Sequence, residues 1–148
     1  KINRQDLAYQ ILWQEKAPSW LYEVNHGATT IWESWYGYDE NGNPGHLSFN
    51  HYSFGAIDDW MFRHIGGIDT DQAGFKHLII HPHVDSAITS CSRSYETPYG
   101  KVSCEWEKTD RFTMDVTIPC NVTAEVVLPD GSSETVGSGK YVFQTLNL

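Results

Sequence analysis

The chain has 148 residues, one domain of ordinary size or two small pieces, and 40% of them are hydrophobic, too many for a disordered chain. The formal net charge is −9, which excludes the basic surface that a nucleic-acid backbone needs. No apolar run approaches the ~20 residues that span a bilayer, so neither nucleic acid nor membrane is an expected partner.

Taken in order, the first elements are helical. The start, Lys1-Ile2-Asn3-Arg4, has no initiator Met and no signal-peptide pattern, and reads as the interior of a longer chain or a trimmed one. From Arg4 to Lys16, Leu7, Ile11 and Leu12 fall on one helical face with Ala8 beside them. Pro18 interrupts, and Pro18 to Tyr22 predict the first turn of a short helix that Gly27 stops. Tyr38 to Gly45 is a loop by its Asp, Asn, Gly and Pro content. From Asn50 to Ile65, Phe54, Ile57, Met61 and Ile65 recur at helical spacing until Gly66-Gly67.

After residue 75 the pattern becomes β. Strands are predicted at Lys76 to His81, Ala87 to Glu96, Lys101 to Lys108, Phe112 to Ile118, Ala124 to Leu128 and Tyr141 to Leu146. Turn residues such as Pro98-Tyr99-Gly100 and Pro129-Asp130-Gly131 separate them. The fold class read from this is α+β, with an N-terminal helical segment and a C-terminal antiparallel β-sandwich. The expected division is 1–70 and 71–148. Two or three amphipathic helices over so short a stretch make a poor core alone, so they pack on the sandwich or on a larger α-domain.

The aromatic content is 14%, and Trp13, Trp20, Trp32, Trp35 and Trp60 fall in the first 60 residues. Such a cluster fits a core, an interface or a surface on which sugar rings stack. Within Ala28 to Trp35, Glu33 sits between Trp32 and Trp35. A carboxylate among indoles loses hydration, which moves its pKa toward the range useful for proton transfer. The same residues also suit a surface Glu at a helix start capped by Thr29 or Thr30. In Leu47 to Ala56, His51 stands between Asn50 and Tyr52, where it can bond a sugar hydroxyl or orient a carboxylate, or serve structure alone. His81-Pro82-His83 offers two imidazoles without an obvious third ligand, so no metal is expected. Asp58-Asp59 reads as a solvated helix face. Cys91, Cys104 and Cys120 lack a C-x-x-C spacing and read as free buried thiols. No cofactor motif is present.

Two ordered stretches carry a resemblance. Thr29-Thr30-Ile31-Trp32-Glu33-Ser34-Trp35, then Leu47-Ser48-Phe49-Asn50-His51-Tyr52-Ser53-Phe54-Gly55-Ala56 and Asp59-Trp60-Met61-Phe62-Arg63, resemble the end of the catalytic domain of bacterial α-L-rhamnosidases, glycoside hydrolase family 78. Ile80 to Pro82, Ser94 to Gly100, Trp106, Ile118-Pro119 and Asn121 resemble the C-terminal β-sandwich of that family. The resemblance implies that residues 1–70 are the last helices of an (α/α)6 barrel. It implies inverting hydrolysis by two carboxylates, one protonating the leaving oxygen and one activating water. Glu33 falls on the position of the water-activating base and His51 on a rhamnose contact. Trp32, Trp35 and Asn50 belong to the same implied sugar site.

The general acid of the family lies far upstream, and nothing in residues 1–28 resembles it. The chain alone is therefore expected to be inactive. Its expected partners are a rhamnose-containing carbohydrate, the upstream part of the same catalytic domain and, through uncovered apolar faces, other copies of itself. One rival is a non-catalytic carbohydrate-binding or interdomain β-sandwich module. Another is a different inverting glycosidase on the same barrel.

Overall fold

The computed structural model describes residues 4–146; Lys1, Ile2 and Asn3 of the opening segment lie outside the described residues. The chain divides into two compact units, Lys1–Asp58 and Asp59–Leu148.

The first unit is short of regular structure. Helix α1 (Gln5–Leu12) buries Tyr9 and Leu12, whereas Leu7 and Ile11, which share the predicted apolar face, are exposed. Helix α2 (Trp20–Asn25) starts two residues after Pro18, because the Ser19 hydroxyl accepts the Tyr22 amide at 3.0 Å and caps its first turn. It ends where expected: the next residue after the His26 cap is Gly27, at φ +82°. Residues 28–52 form neither helix nor strand apart from a bridge between Tyr38 and Pro44. Thr29 and Thr30 therefore cap no helix. The Asp39 carboxylate closes the 38–44 loop, accepting the amides of Asn41 and Asn43 at 2.8 Å each and the Asn43 side chain.

The helical stretch at 53–65 changes pitch twice, running through a 3-10 turn (Ser53–Ala56), an α-turn (Ile57–Trp60) and a π-turn (Met61–Ile65). Asp59 is ion-paired with Arg63 at 2.9 Å, and Arg63 also reaches Asp69. Gly66 and Gly67 end the stretch. Gly67 sits at φ +74°, and a Cβ there would lie 2.7 Å from the Pro82 nitrogen, so only glycine fits.

The second unit holds eight strands among the described residues, in two four-stranded sheets. One sheet has the order β1 (Ile68–Thr70), β2 (His77–Ile80), β6 (Thr123–Val127), β7 (Ser133–Val136); the other has β3 (Ser90–Thr97), β4 (Gly100–Lys108), β5 (Phe112–Ile118), β8 (Gly139–Thr145). All pairs are antiparallel except β2 with β6, which run parallel from His77 opposite Thr123 to Ile80 opposite Val126. Alternation does the sorting. Val102, Cys104 and Trp106 of β4 and Phe112, Met114, Val116 and Ile118 of β5 are buried, and Leu78, Ile80, Ala124 and Val126 are buried in the other sheet. The α+β class with a C-terminal sandwich stands, with β1 and β7 added to the six predicted strands. Of the three thiols, expected to be buried, only Cys104 is; Cys91 is half-buried and Cys120 exposed.

His64, His81 and His83 gather in this unit. The His83 ring lies 4.1 Å from that of His81 and 5.2 Å from that of His64, and the His83 amide donates to the His64 carbonyl at 2.7 Å. Burial, then the neighbouring imidazoles, pulls His83 from its ordinary 6.5 to about 4. Burial and His64 also lower His81, against the pull of Glu125. Among the described residues, no group of three His, Cys, Asp or Glu is arranged to hold a metal ion. Because the folded-state values are depressed, the stabilisation is complete above pH 6.5 and is lost as pH falls toward 4. Allowing for solvent screening, His83 should cost the sandwich about 1–2 kcal/mol across that window. Urea unfolding at pH 7 and pH 4.5 checks this: His83→Gln should shrink the difference, and an undiminished difference would place the acid sensitivity elsewhere.

Candidate active site

The two stretches singled out in the sequence lie side by side in the first unit. The Glu33 amide donates to the Ser48 carbonyl at 2.8 Å, and the Ser48 amide donates to Glu33 Oε2 at 2.9 Å. The His51 amide donates to the Ile31 carbonyl at 2.8 Å, and the Thr30 hydroxyl to the Phe49 carbonyl at 2.6 Å. These bonds pair residues 30–33 with 48–51 much as a short antiparallel ladder would. Glu33 is thus half-buried with one carboxylate oxygen held by a backbone donor.

The flanking tryptophans go to different clusters. Trp32 is 3% exposed and meets Phe49 and Tyr38 edge-on at 5.1 and 5.5 Å. A Cβ on Gly37 would come within 2.5 Å of the Trp32 ring, so the close approach of the 36–38 backbone depends on that glycine. Trp35 stacks on Phe54 at 3.8 Å and meets Trp20 edge-on at 5.4 Å, while the Trp20 indole donates to the Phe54 carbonyl at 3.0 Å. A hollow of about 250 Å³ is lined by Ser34, Tyr36, Gly37, Gly45, His46, Leu47 and Ser48; Glu33 is not among its lining residues.

His51 is half-buried, and its Nδ1 receives the Ser53 amide at 3.2 Å and contacts the Ser53 hydroxyl at 2.8 Å. A backbone N–H can only donate, so Nδ1 is an acceptor and the proton of a neutral ring sits on Nε2. Nε2 is then a donor suited to a sugar oxygen. Asn50 is exposed; its amide and carbonyl both engage the Ser48 hydroxyl, at 3.0 Å each, which shapes the turn into His51.

Two participants went unmarked in the sequence reading. Ser48 was visible only as part of a motif, since nothing in its spacing says that it clasps residue 33. Glu23 is 2% exposed and accepts the Trp32 amide at 3.1 Å through Oε2. A single Glu within a short helix gives no signal of burial.

The comparisons with known proteins define the class first. Residues 1–65 match the bacterial alpha-L-rhamnosidase six-hairpin glycosidase domain, and residues 67–143 match the bacterial alpha-L-rhamnosidase C-terminal domain. The chain belongs to the bacterial α-L-rhamnosidase family.

An alpha-L-rhamnosidase of Formosa agariphila is 44% identical over 135 residues, covering 88% of this chain, and one from an Alteromonas species is 42% identical over 133 residues, covering 87%. The crystal structure of Streptomyces avermitilis alpha-L-rhamnosidase complexed with L-rhamnose superposes with a TM-score of 0.92 at 31% identity over 97% of the chain. The chain spans about 15% of the length of the curated relatives it matches, and 16% of the Streptomyces chain.

Proposed function

We propose that this chain forms part of an exo-acting α-L-rhamnosidase that releases terminal rhamnose from glycans or glycosides with inversion at the anomeric carbon. Residues 1–70 contribute the last helices of the barrel together with the first short sandwich strand, β1, and 71–148 the rest of the sandwich. Glu33 is the general base. It takes a proton from a water molecule as that water's oxygen bonds to the anomeric carbon; the glycosidic bond breaks, and a carboxylic acid from elsewhere in the domain protonates the leaving oxygen. His51 donates from Nε2 to a sugar hydroxyl. Trp35 lines the site, Trp32 supports it from the interior through Phe49 and Tyr38, and Asn50 flanks His51.

The observation that carries this reading is the clasp between Glu33 and Ser48. One carboxylate oxygen is fixed by a backbone N–H and the other is left for water, as a positioned base requires. Support for the missing part of the barrel comes from the first unit's surface. Leu7, Ile11, Trp13, Val24, Tyr36, Leu47 and Tyr52 are exposed, Tyr52 to 87%, more apolar surface than so small a unit leaves bare when its partners are present. Those faces suit the upstream part of the same catalytic domain, and the chain alone should self-associate through them and hydrolyse nothing. A carbohydrate-binding role for the sandwich is less well supported, because Trp106, its only tryptophan, is 2% exposed and offers no platform to a sugar.

Proton NMR of an α-rhamnoside digested by a full-length enzyme carrying this chain tests the chemistry. The first rhamnose released should be the β-anomer, with the α-anomer appearing later by mutarotation. Initial release of the α-anomer would remove water activation from Glu33.

A further inference from the structure

Glu23 is difficult to explain as a stabilising residue. Its side chain is nearly fully buried, Oε2 has the Trp32 amide as partner, and Oε1 is buried with no hydrogen-bond partner among the described residues. Burial pushes its carboxyl above the usual range, with the Trp32 amide opposing. A buried carboxylate that makes one hydrogen bond is costly compared with an apolar side chain of similar volume. What it does supply is an acceptor to a peptide that has none otherwise, because residues 28–36 belong to no helix or strand.

That peptide directly precedes Glu33. The 30–33 segment is held along 48–51 through Thr30, Ile31 and Glu33, but none of those bonds involves the Trp32 amide. Glu23 supplies that one from α2. The backbone of Glu23 is independently committed to the end of α2, its carbonyl accepting the amides of His26 at 3.1 Å and Ala28 at 3.0 Å. Changing the side chain leaves those backbone bonds in place.

We infer that Glu23 is a positioning residue for the reaction: by fixing the Trp32 peptide through Oε2, it sets the direction in which the Glu33 carboxylate leaves the backbone. The inference rests on the reading of Glu33 as the base. A base misplaced by about 1 Å loses on the order of 10²-fold in rate, while sugar binding through other side chains persists. The role needs an acceptor at this point and not a charge.

The test compares Glu23→Gln, Glu23→Leu and Glu33→Gln in a full-length rhamnosidase carrying this chain, with kcat expressed per folded molecule. Glu23→Gln keeps an acceptor for the Trp32 amide, and its kcat should stay within about threefold. Glu23→Leu keeps the volume without the acceptor, and its kcat should fall about 10- to 100-fold with KM within about threefold. A merely structural side chain would lower the folded fraction and leave kcat per folded molecule intact. Normal kcat in Glu23→Leu beside an inactive Glu33→Gln overturns the role of Glu23 alone, as does an equal loss in Gln and Leu. An active Glu33→Gln overturns the base assignment itself. Should Glu23→Leu fail to fold, Glu23→Asp asks the same question: one methylene shorter, it should drop kcat about tenfold at constant KM, and normal turnover would overturn the inference.

Discussion

Glu33→Gln, made in a full-length enzyme carrying this chain, should lower kcat by about 10²–10⁴-fold, the range that a positioned general base contributes. Glutamine is nearly the same size, and its amide oxygen can still accept the Ser48 amide that now meets Oε2 at 2.9 Å. The clasp and the fold should survive, so the loss falls on chemistry. KM should change little, because the base acts on water and not on the sugar. Steady-state kinetics on an aryl α-rhamnoside, with a thermal melt as control, reads both. A variant with more than a tenth of normal turnover would remove Glu33 from proton transfer and leave the clasp as a structural feature only.

The largest stability effect is expected at Trp106. It is 2% exposed, lies near Phe112 with ring centroids 5.8 Å apart, and its indole donates to the Ile65 carbonyl at 2.8 Å. Ile65 closes the π-turn within the second unit, so one side chain fills the core and satisfies the carbonyl at the end of a helix. Trp106→Ala should destabilise this unit by about 3–5 kcal/mol. Trp106→Phe keeps part of the ring and loses the donor, and should cost about 1–3 kcal/mol. Denaturant midpoints, read by hydrogen exchange at sandwich amides, measure both. Equal effects from the two variants would show that the bond to Ile65 contributes most of the stability and that ring volume contributes little.

Legibility varied with the physics that fixes each element. Strand β5 can be read residue by residue, because Phe112 to Ile118 alternate inward and outward, and that alternation is its burial pattern. Strand β1 was missed since three residues carry no period, and β7 because Ser133, Glu134 and Thr135 are all exposed. In α1 the periodicity grouped Leu7 with Leu12 but could not say which apolar residues this chain itself covers. The motifs single out Glu33, Asn50 and His51, yet the pairing of residues 30–33 with 48–51 depends on how the 38–45 loop returns the chain, and spacing is silent on that. Glu23 was invisible for a simpler reason: burial of a charged side chain is the exception that composition rules average away.

The parallel ladder of β2 with β6 has a bearing on how the sandwich is assembled. Strands β3, β4 and β5 join their sequence neighbours through tight reversals, so their contacts cost little chain entropy to form. His77 meets Thr123 only after the whole three-stranded meander has been spooled between them. Closing that span is repaid when the meander is already compact, because an ordered insert shortens the effective loop. The topology therefore ranks contacts by the chain they must close: the meander and the local β1–β2 and β6–β7 pairs close short spans, and the β2–β6 seam is the late stitch that joins those two pairs into one sheet.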